Sequence, residues 1–343
     1  MSRVIMIVTA VILGLLVITS GCAGEAPGEK AADFYKGKTI DFATSGRPGA
    51  VTDITTRVFQ PYIEQYTGST TVIKDMSGAG GMEGQNYTWQ ASPDGLTVGS
   101  STLLSLTMAD LLDDPSCLYE VDQFGFLGCV GSESDIFWVK DDGPIKSIAD
   151  LQAMESVQFI APAPGDGRTV CLMMTSYFLD LNAKIACGFN TDECKLAVMR
   201  GDSAGFVTTP GSFLRGVDQG WRALFMVDNK RCQALPDVPA LTEIFDLPQD
   251  RKELLELKGM LHAGTVLYTS PGVPENRLSF LQGVVQQIVE QEAEFRSEVD
   301  KTWGYSDVPY PSAEETTQVV REAKAKEQLI QEKMGFLIET YLE

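Results

Sequence analysis

The chain has 343 residues, 44% hydrophobic and 22% charged, with a formal net charge of −20. The length suffices for two globular domains, and the charge argues against nucleic acid or an anionic membrane surface as a partner of the body of the chain. An anionic ligand would be held against the bulk charge, so it would need a local device such as helix N-termini or an inward-facing arginine.

In chain order, a short basic start precedes Val4–Ile18, a 15-residue apolar run. The run is short for a membrane-spanning helix, which needs about 20 residues, but it suits a signal-peptide core. Its end at Ser20-Gly21-Cys22 resembles a bacterial lipobox, with Thr19 where the pattern prefers Leu. Residues 1–21 are therefore expected to be a signal peptide and Cys22 the lipidated first residue of the mature chain. The small, polar stretch that follows, to residue 35, reads as a flexible tether.

From there strand-like runs alternate with helical patterns, the mark of an α/β fold. Strands are expected at Lys38–Ser45, in "TTVIKDM", at Leu96–Thr102, in "FGFLGCVG", at Asp135–Asp142, in "VQFIAP", in "GFVTT", at Trp221–Asn229 and in "GTVLYTS". Helices are expected in "ITTRVFQPYIEQYTG", where Pro61 should kink or break the pattern, in "GMEGQNYTWQA", in "SIADLQAM" and in "TVCLMMTSYFLDL". Two long amphipathic helices should follow over 275–300 and 312–342.

Several of these strands end in Gly/Pro/Ser/Thr-rich loops that open a helix, where open α/β sheets bind ligands. The richest is "SGAGGMEG", with Gly78, Gly80, Gly81 and Gly84. It fails the dinucleotide pattern G-x-G-x-x-G, because Glu83 stands where the last glycine belongs, and it lacks the lysine of a P-loop. A ligand-free turn and an anion-holding loop both remain open on these residues alone.

The six cysteines of the body, Cys117, Cys129, Cys171, Cys187, Cys194 and Cys232, form an even set in an exported chain. Cys187 and Cys194 close the shortest loop and are the first candidate disulfide. With no C-x-x-C and a single histidine, His262, no metal site is expected, and His262 reads as a core or edge residue.

Three stretches in order, "RPGAVTD" (Arg47–Asp53), "SGAGGMEG" (Ser77–Gly84) and "SPDGLTVG" (Ser92–Gly99), resemble the P-G-G-x-x-D, P-G-A-G-G-x-x-G and P-D-G-Y-T motifs of the solute receptors of tripartite tricarboxylate transporters, the Bug-type extracytoplasmic receptors. Pro236-Asp237-Val238-Pro239 with Leu241 and Glu243 resembles the family's LPDVPTLxE segment, and "YTSPGVPENRL" its P-x-G-T-P segment. The resemblance runs from about Phe34 to the C-terminus. It implies a two-lobed α/β fold of the type II periplasmic-binding-protein kind, with a cleft between lobe 1 (residues 36–134 and 260–343) and lobe 2 (135–259). It also implies an organic carboxylate as ligand, membrane permease subunits as partners, a monomer held to the membrane by its lipid, and neither cofactor nor catalysis.

Carried onto this chain, the resemblance places Ser45, Arg47, Gly49 and Asp53 on a first loop and Ser77, Gly78, Ala79, Gly80 and Gly81 on a second. Thr102 follows the third strand, and Gly165, Gly167, Arg168, Thr169, Thr208 and Thr209 come from the second lobe. Asp53 could instead cap its helix. Arg47 and Arg168 stand where the family has small or Ser-type residues, and Thr208-Thr209 where it often has Asp-Asn. Two inward arginines would suit a second carboxylate, although Asp166 could neutralise Arg168. Neutral threonines would not suit an ammonium. The expected ligand is therefore a di- or tricarboxylate, or an aromatic carboxylate, in preference to an amino acid. A sensory receptor partnered with a histidine kinase would use the same site, and an exported thiol oxidoreductase is disfavoured by the missing C-x-x-C.

Overall fold

The computed structural model describes residues 30–131, 135–261, 264–306 and 308–343. The signal peptide, Cys22 and His262 lie outside the described residues.

The first lobe is built on a five-stranded sheet. β1 (Thr39–Thr44) pairs in parallel with β2 (Thr70–Asp75) and β3 (Thr97–Thr102). β10 (Thr265–Thr269) runs antiparallel between β3 and β4 (Gly125–Val130), giving the order β2-β1-β3-β10-β4. The crossovers are α2 (Val51–Thr67) between β1 and β2 and α3 (Met82–Gln90) between β2 and β3. α4 (Leu103–Leu111) follows β3 directly. β3, β4 and β10 are nearly continuous in buried residues, as expected where helices cover both faces, whereas the edge strand β2 is largely open.

The second lobe has a three-stranded antiparallel sheet, in which β5 (Ile136–Lys140) lies between β8 (Phe206–Thr208) and β9 (Trp221–Met226). A parallel pair, β6 (Val157–Ile160) and β7 (Ala183–Ala186), stands beside it. Its helices are α5 (Ile148–Gln152), α6 (Gly167–Phe178), α7 (Thr191–Arg200), α8 (Pro210–Leu214), α9 (Leu241–Ile244) and α10 (Gln249–Met260). The stacked pairs Trp138–Trp221 (4.1 Å) and Phe137–Phe225 (5.0 Å) fill its core.

Four expectations are corrected. The tether does not run to residue 35: α1 (Ala31–Tyr35) belongs to the first lobe, where Tyr35 is fully buried and stacks on Phe280 at 5.4 Å. Pro61 does not break α2, which is continuous from Val51 to Thr67 and is clamped by Phe59 and Ile63 in the first core. The long C-terminal helices are each divided, into α11 (Glu275–Gln291) and α12 (Ala293–Trp303), then α13 (Ala313–Ala325) and α14 (Glu327–Tyr341). And residues 260–343 do not all return to the first lobe. In α14, Ile330, Met334, Leu337 and Tyr341 pack into the same core as Phe159, Cys171 and Ile185 of the second lobe, and Leu342 bridges to Ile185.

Near the first crossing between lobes lies a buried ion pair. Lys258, 3% exposed, meets Asp135 at 3.2 Å and donates to the Val227 carbonyl at 2.6 Å. Cys171 donates its S–H to the same carboxylate at 3.0 Å. Burial, and then the Asp135 charge, push the Cys171 thiol well above its ordinary pKa, so it stays protonated as a donor.

Candidate functional site

A cleft of about 1030 Å³ separates the two lobes. Small-ligand sites run to about 1,000 Å³, so a small organic acid would share this one with water. Five helix starts face it: Val51 of α2, Gly167 of α6, Thr191 of α7 and Thr209 before α8, with Thr102 capping α4.

These starts are not equivalent. Asp166 caps α6 by accepting the Arg168 N–H (2.9 Å). Asn190 caps α7 in a reciprocal box with Glu193. Thr209 accepts from the Ser212 N–H and Thr102 from the Ser105 N–H. The start of α2 has no side-chain cap: its N-cap residue is Ala50. A 17-residue helix thus turns an uncapped positive end to the cleft, the ordinary condition for holding an anion.

The second wall is the glycine loop. Ala79, Gly80 and Gly81 take φ of 50°, 70° and 102° in succession, left-handed conformations that glycine adopts at little cost. Gly81 tucks against the first loop, where a Cβ would lie 2.9 Å from the Ser45 Cβ. Gly80 faces the opposite lobe instead: a Cβ there would lie 3.3 Å from the Ala163 Cβ and 3.5 Å from Asp166 Oδ2.

Most of the expected residues meet here. Ser45, Arg47 and Gly49 line the cleft on one loop and Ser77, Gly78, Ala79 and Gly80 on the next. Thr102, Gly167, Arg168, Thr208 and Thr209 line it too. Thr208 is 3% exposed and its hydroxyl has no hydrogen-bond partner among the described residues.

Four residues stand back from the cleft. Asp53 is a brace: its carboxylate accepts the Gly49 N–H (2.8 Å) and the Arg57 Nε–H (2.8 Å), fixing the first loop over the start of α2. Gly81 is buried against Ser45. Gly165 packs near Ala109, and Thr169 is buried one turn into α6.

Both arginines face the cleft, but neither is unspent. Arg168 forms a fork with Asp166, Nε to Oδ1 at 2.7 Å and Nη2 to Oδ2 at 2.5 Å, and its Nη1 donates to the Thr191 hydroxyl at 2.7 Å. Burial works against its charge, but Asp166 more than offsets this and holds Arg168 above its ordinary pKa. Arg47 pairs with Asp192 of the facing lobe. Burial, and then the like charge of Arg168, pull Arg47 below its ordinary value.

The acidic side chains at the cleft are engaged as well. Asp135 meets Lys258, Asp166 meets Arg168, Asp192 meets Arg47, and Glu193 accepts the Asn190 N–H. Cys187 and Cys194 are separate thiols, so the expected disulfide is not formed. Cys187 lines the cleft at half-burial while Cys194 turns into the core from α7, and burial pushes the two to about 11 and about 12. Among the described residues no group of His, Cys, Asp and Glu is arranged to hold a metal, and no helix is long and apolar enough to cross a membrane.

The sequence reading missed the residues that α7 and the α8–β9 turn bring in: Thr191, Asp192, Lys195, Arg215 and Trp221. For α7 a signal existed, since Asn190 and Glu193 form a capping box three residues apart.

No family profile matches the chain. In sequence it is similar to protein BugT of Bordetella pertussis, 28% identical over 110 residues, which is 32% of this chain and 32% of BugT. The match therefore spans about a third of that relative's length. A second B. pertussis protein, of the UPF0065 group, is 21% identical over 62% of this chain and 68% of its own. In fold the chain is similar to the periplasmic binding protein BugD, with a TM-score of 0.72 and 17% identity over 90% of this chain and all of that one. MatC of Rhodopseudomonas palustris, solved with bound malate, gives 0.70 at 17% identity over 87% of this chain and 99% of its own. Another R. palustris protein, solved with adipate, gives 0.70 at 16% over 87% and 97%.

Proposed function

We propose, from the chain's kinship with the Bug-type receptors in sequence and fold, that it is an exported solute receptor. It captures a small organic carboxylate between its lobes and hands it to the membrane permease of a tripartite tricarboxylate-type transporter. Cys22 would carry the lipid that keeps the receptor at the membrane. Catalysis is no part of the role.

One observation carries the reading: the uncapped start of α2 opens into the cleft, which the neighbouring loop of Gly78, Ala79 and Gly80 also lines, with Thr208, whose hydroxyl has no partner among the described residues. A carboxylate there gains about 1–2 kcal/mol from the helix end and about 1.5–3 kcal/mol for each charge-assisted hydrogen bond. Closure of the lobes then follows from the tighter binding of the closed form.

The ligand class follows from what the cleft does not offer. An α-amino acid's ammonium is held most strongly by a free carboxylate, and Asp135, Asp166, Asp192 and Glu193 are each already engaged. Thr208 and Thr209 supply only hydroxyls. Dicarboxylates are therefore preferred, in keeping with the malate and adipate of the two R. palustris proteins.

A thermal-shift panel tests this. At a hundredfold excess over Kd a ligand stabilises by about 2.7 kcal/mol, a rise of several degrees in Tm. Malate, succinate, adipate or citrate should produce that rise and free amino acids should not. Stabilisation by amino acids with no response to any di- or tricarboxylate would refute the assignment.

A further inference from the structure

The charged groups at the cleft do not balance evenly. Arg47 and Arg168 are committed to Asp192 and Asp166, as described above. Two further cations line the same cleft, Lys195 on α7 and Arg215 after α8. Neither has a carboxylate partner among the described residues. Arg215 makes only long hydrogen bonds, to the Thr302 carbonyl at 3.3 Å and to Ser212 Oγ at 3.4 Å, and keeps the rest of its five N–H donors. The Lys195 ammonium stands 5.4 Å from the centre of the Trp221 ring. Trp221 is 7% exposed, is held by stacking on Trp138, and its buried indole N–H has no hydrogen-bond partner among the described residues. Gly216 permits this arrangement, because a Cβ there would run into the Trp221 ring.

Two unpaired like charges on one wall of a partly buried cleft repel each other. An anion between them removes that cost and satisfies the spare donors. The start of α2 lies on the other lobe, so a ligand reaching both places must carry an anion at each end.

We propose that Lys195 and Arg215, on the wall that Trp221 helps to build, form a second anion subsite that binds the distal carboxylate of a dicarboxylate or larger polycarboxylate. The proposal rests on the carboxylate-receptor reading and deepens it, by moving selection for the second carboxylate away from the two arginines singled out in the sequence.

The state of Lys195 supplies a second handle. Burial, and then Arg47, Arg168 and Arg215, pull its ammonium down to about 8, with Cys194 acting weakly the other way. The carboxylates nearby on α7, Asp192 and Glu193, are held by Arg47 and by the Asn190 N–H. A bound carboxylate favours the charged lysine, so it raises this pKa. Affinity for the second carboxylate is therefore greatest below about pH 8 and falls as Lys195 loses its proton above it.

Calorimetry on the full mature chain tests the subsite, with succinate, glutarate and adipate and the monoamide of each as probes. The amide keeps the shape but loses the charge and exchanges one acceptor oxygen for an NH2 donor. In the wild type at about pH 7, at least one diacid should bind on the order of 100-fold tighter than its monoamide. In Lys195→Met/Arg215→Met that preference should collapse to within about threefold, with melting behaviour held. In the wild type the preference should shrink at about pH 9.5, and Lys195→Arg should keep it there. A wild-type preference near unity overturns the subsite, as does one that survives the double substitution. Binding of monoamide and diacid alike would leave the receptor reading standing, whereas binding of none of the probes would sink both.

Discussion

Replacing Gly80 by Phe abolishes ligand binding while leaving both lobes folded. Gly80 sits on the first lobe, but its open side faces the second. A Cβ there already lies 3.3 Å from the Ala163 Cβ and 3.5 Å from the Asp166 carboxylate. A phenyl ring extends well past that point and must hold the lobes apart. The residue also has φ of 70°, which costs a non-glycine residue about 1–2 kcal/mol, too little to unfold the chain. On the proposed reading the ligand binds the closed arrangement best, so a wedge that excludes closure should weaken binding by on the order of 100-fold or more. Gly80→Ala, which adds only the first atom of the wedge, should weaken it by about tenfold. Calorimetry beside a circular-dichroism melt separates loss of binding from loss of fold. Wild-type affinity in Gly80→Phe would mean that the ligand does not lie between these surfaces.

The second large effect concerns stability. Lys258→Met should destabilise the protein by about 3–5 kcal/mol, since breaking one side of a buried ion pair strands the other charge. Lys258 is 3% exposed and Asp135 is 5% exposed, so neither charge has water to fall back on. The loss should lower Tm by on the order of 10 °C. Asp135→Asn added to Lys258→Met should recover part of it, because the stranded carboxylate is then gone and the Cys171 S–H still has an acceptor. If the double variant is no more stable than Lys258→Met, the pair does not carry the effect.

Much of this molecule is legible in its sequence, for identifiable reasons. All the strands except β7 announce themselves because buried strands are runs of apolar and β-branched residues closed by glycine or proline; β7, four residues with Lys184 exposed between buried Ala183 and Ile185, is too short and mixed to do so. The loops announce themselves because a left-handed turn in close contact with a neighbouring surface favours glycine, as at Gly80. α4 was not visible. "LLSLTMADL" lies between the lobes, with Leu104 and Met108 in one core and Leu103 and Leu106 in another, so no polar face marks its period. The divisions at Glu292 and Lys326 carry neither glycine nor proline and were equally silent. The dislodged C-terminal helix follows from pairing with a distant element, the contact of Leu342 with Ile185, which no local pattern encodes.

The site shows the same boundary. Whether Arg47 and Arg168 face the cleft is open in the sequence, since a surface arginine and an inward one look alike there; the structure sets both in its lining. Their partners were legible only where they are close in the chain. Asp166 lies two residues from Arg168 and was foreseen as its neutraliser, whereas Asp192 reaches Arg47 from the opposite lobe. The identity of the unspent cations therefore emerges only when the lobes are brought together.

Native mass spectrometry of the freshly purified mature protein tests the central claim most directly. A receptor closed on an organic acid should retain one such molecule per chain, with the mass of a di- or tricarboxylate. That adduct should vanish on denaturation, return when the same acid is added back, and be missing from Gly80→Phe. A nucleotide or amino-acid adduct, or a protein that carries no acid and takes up none when offered, would contradict the account.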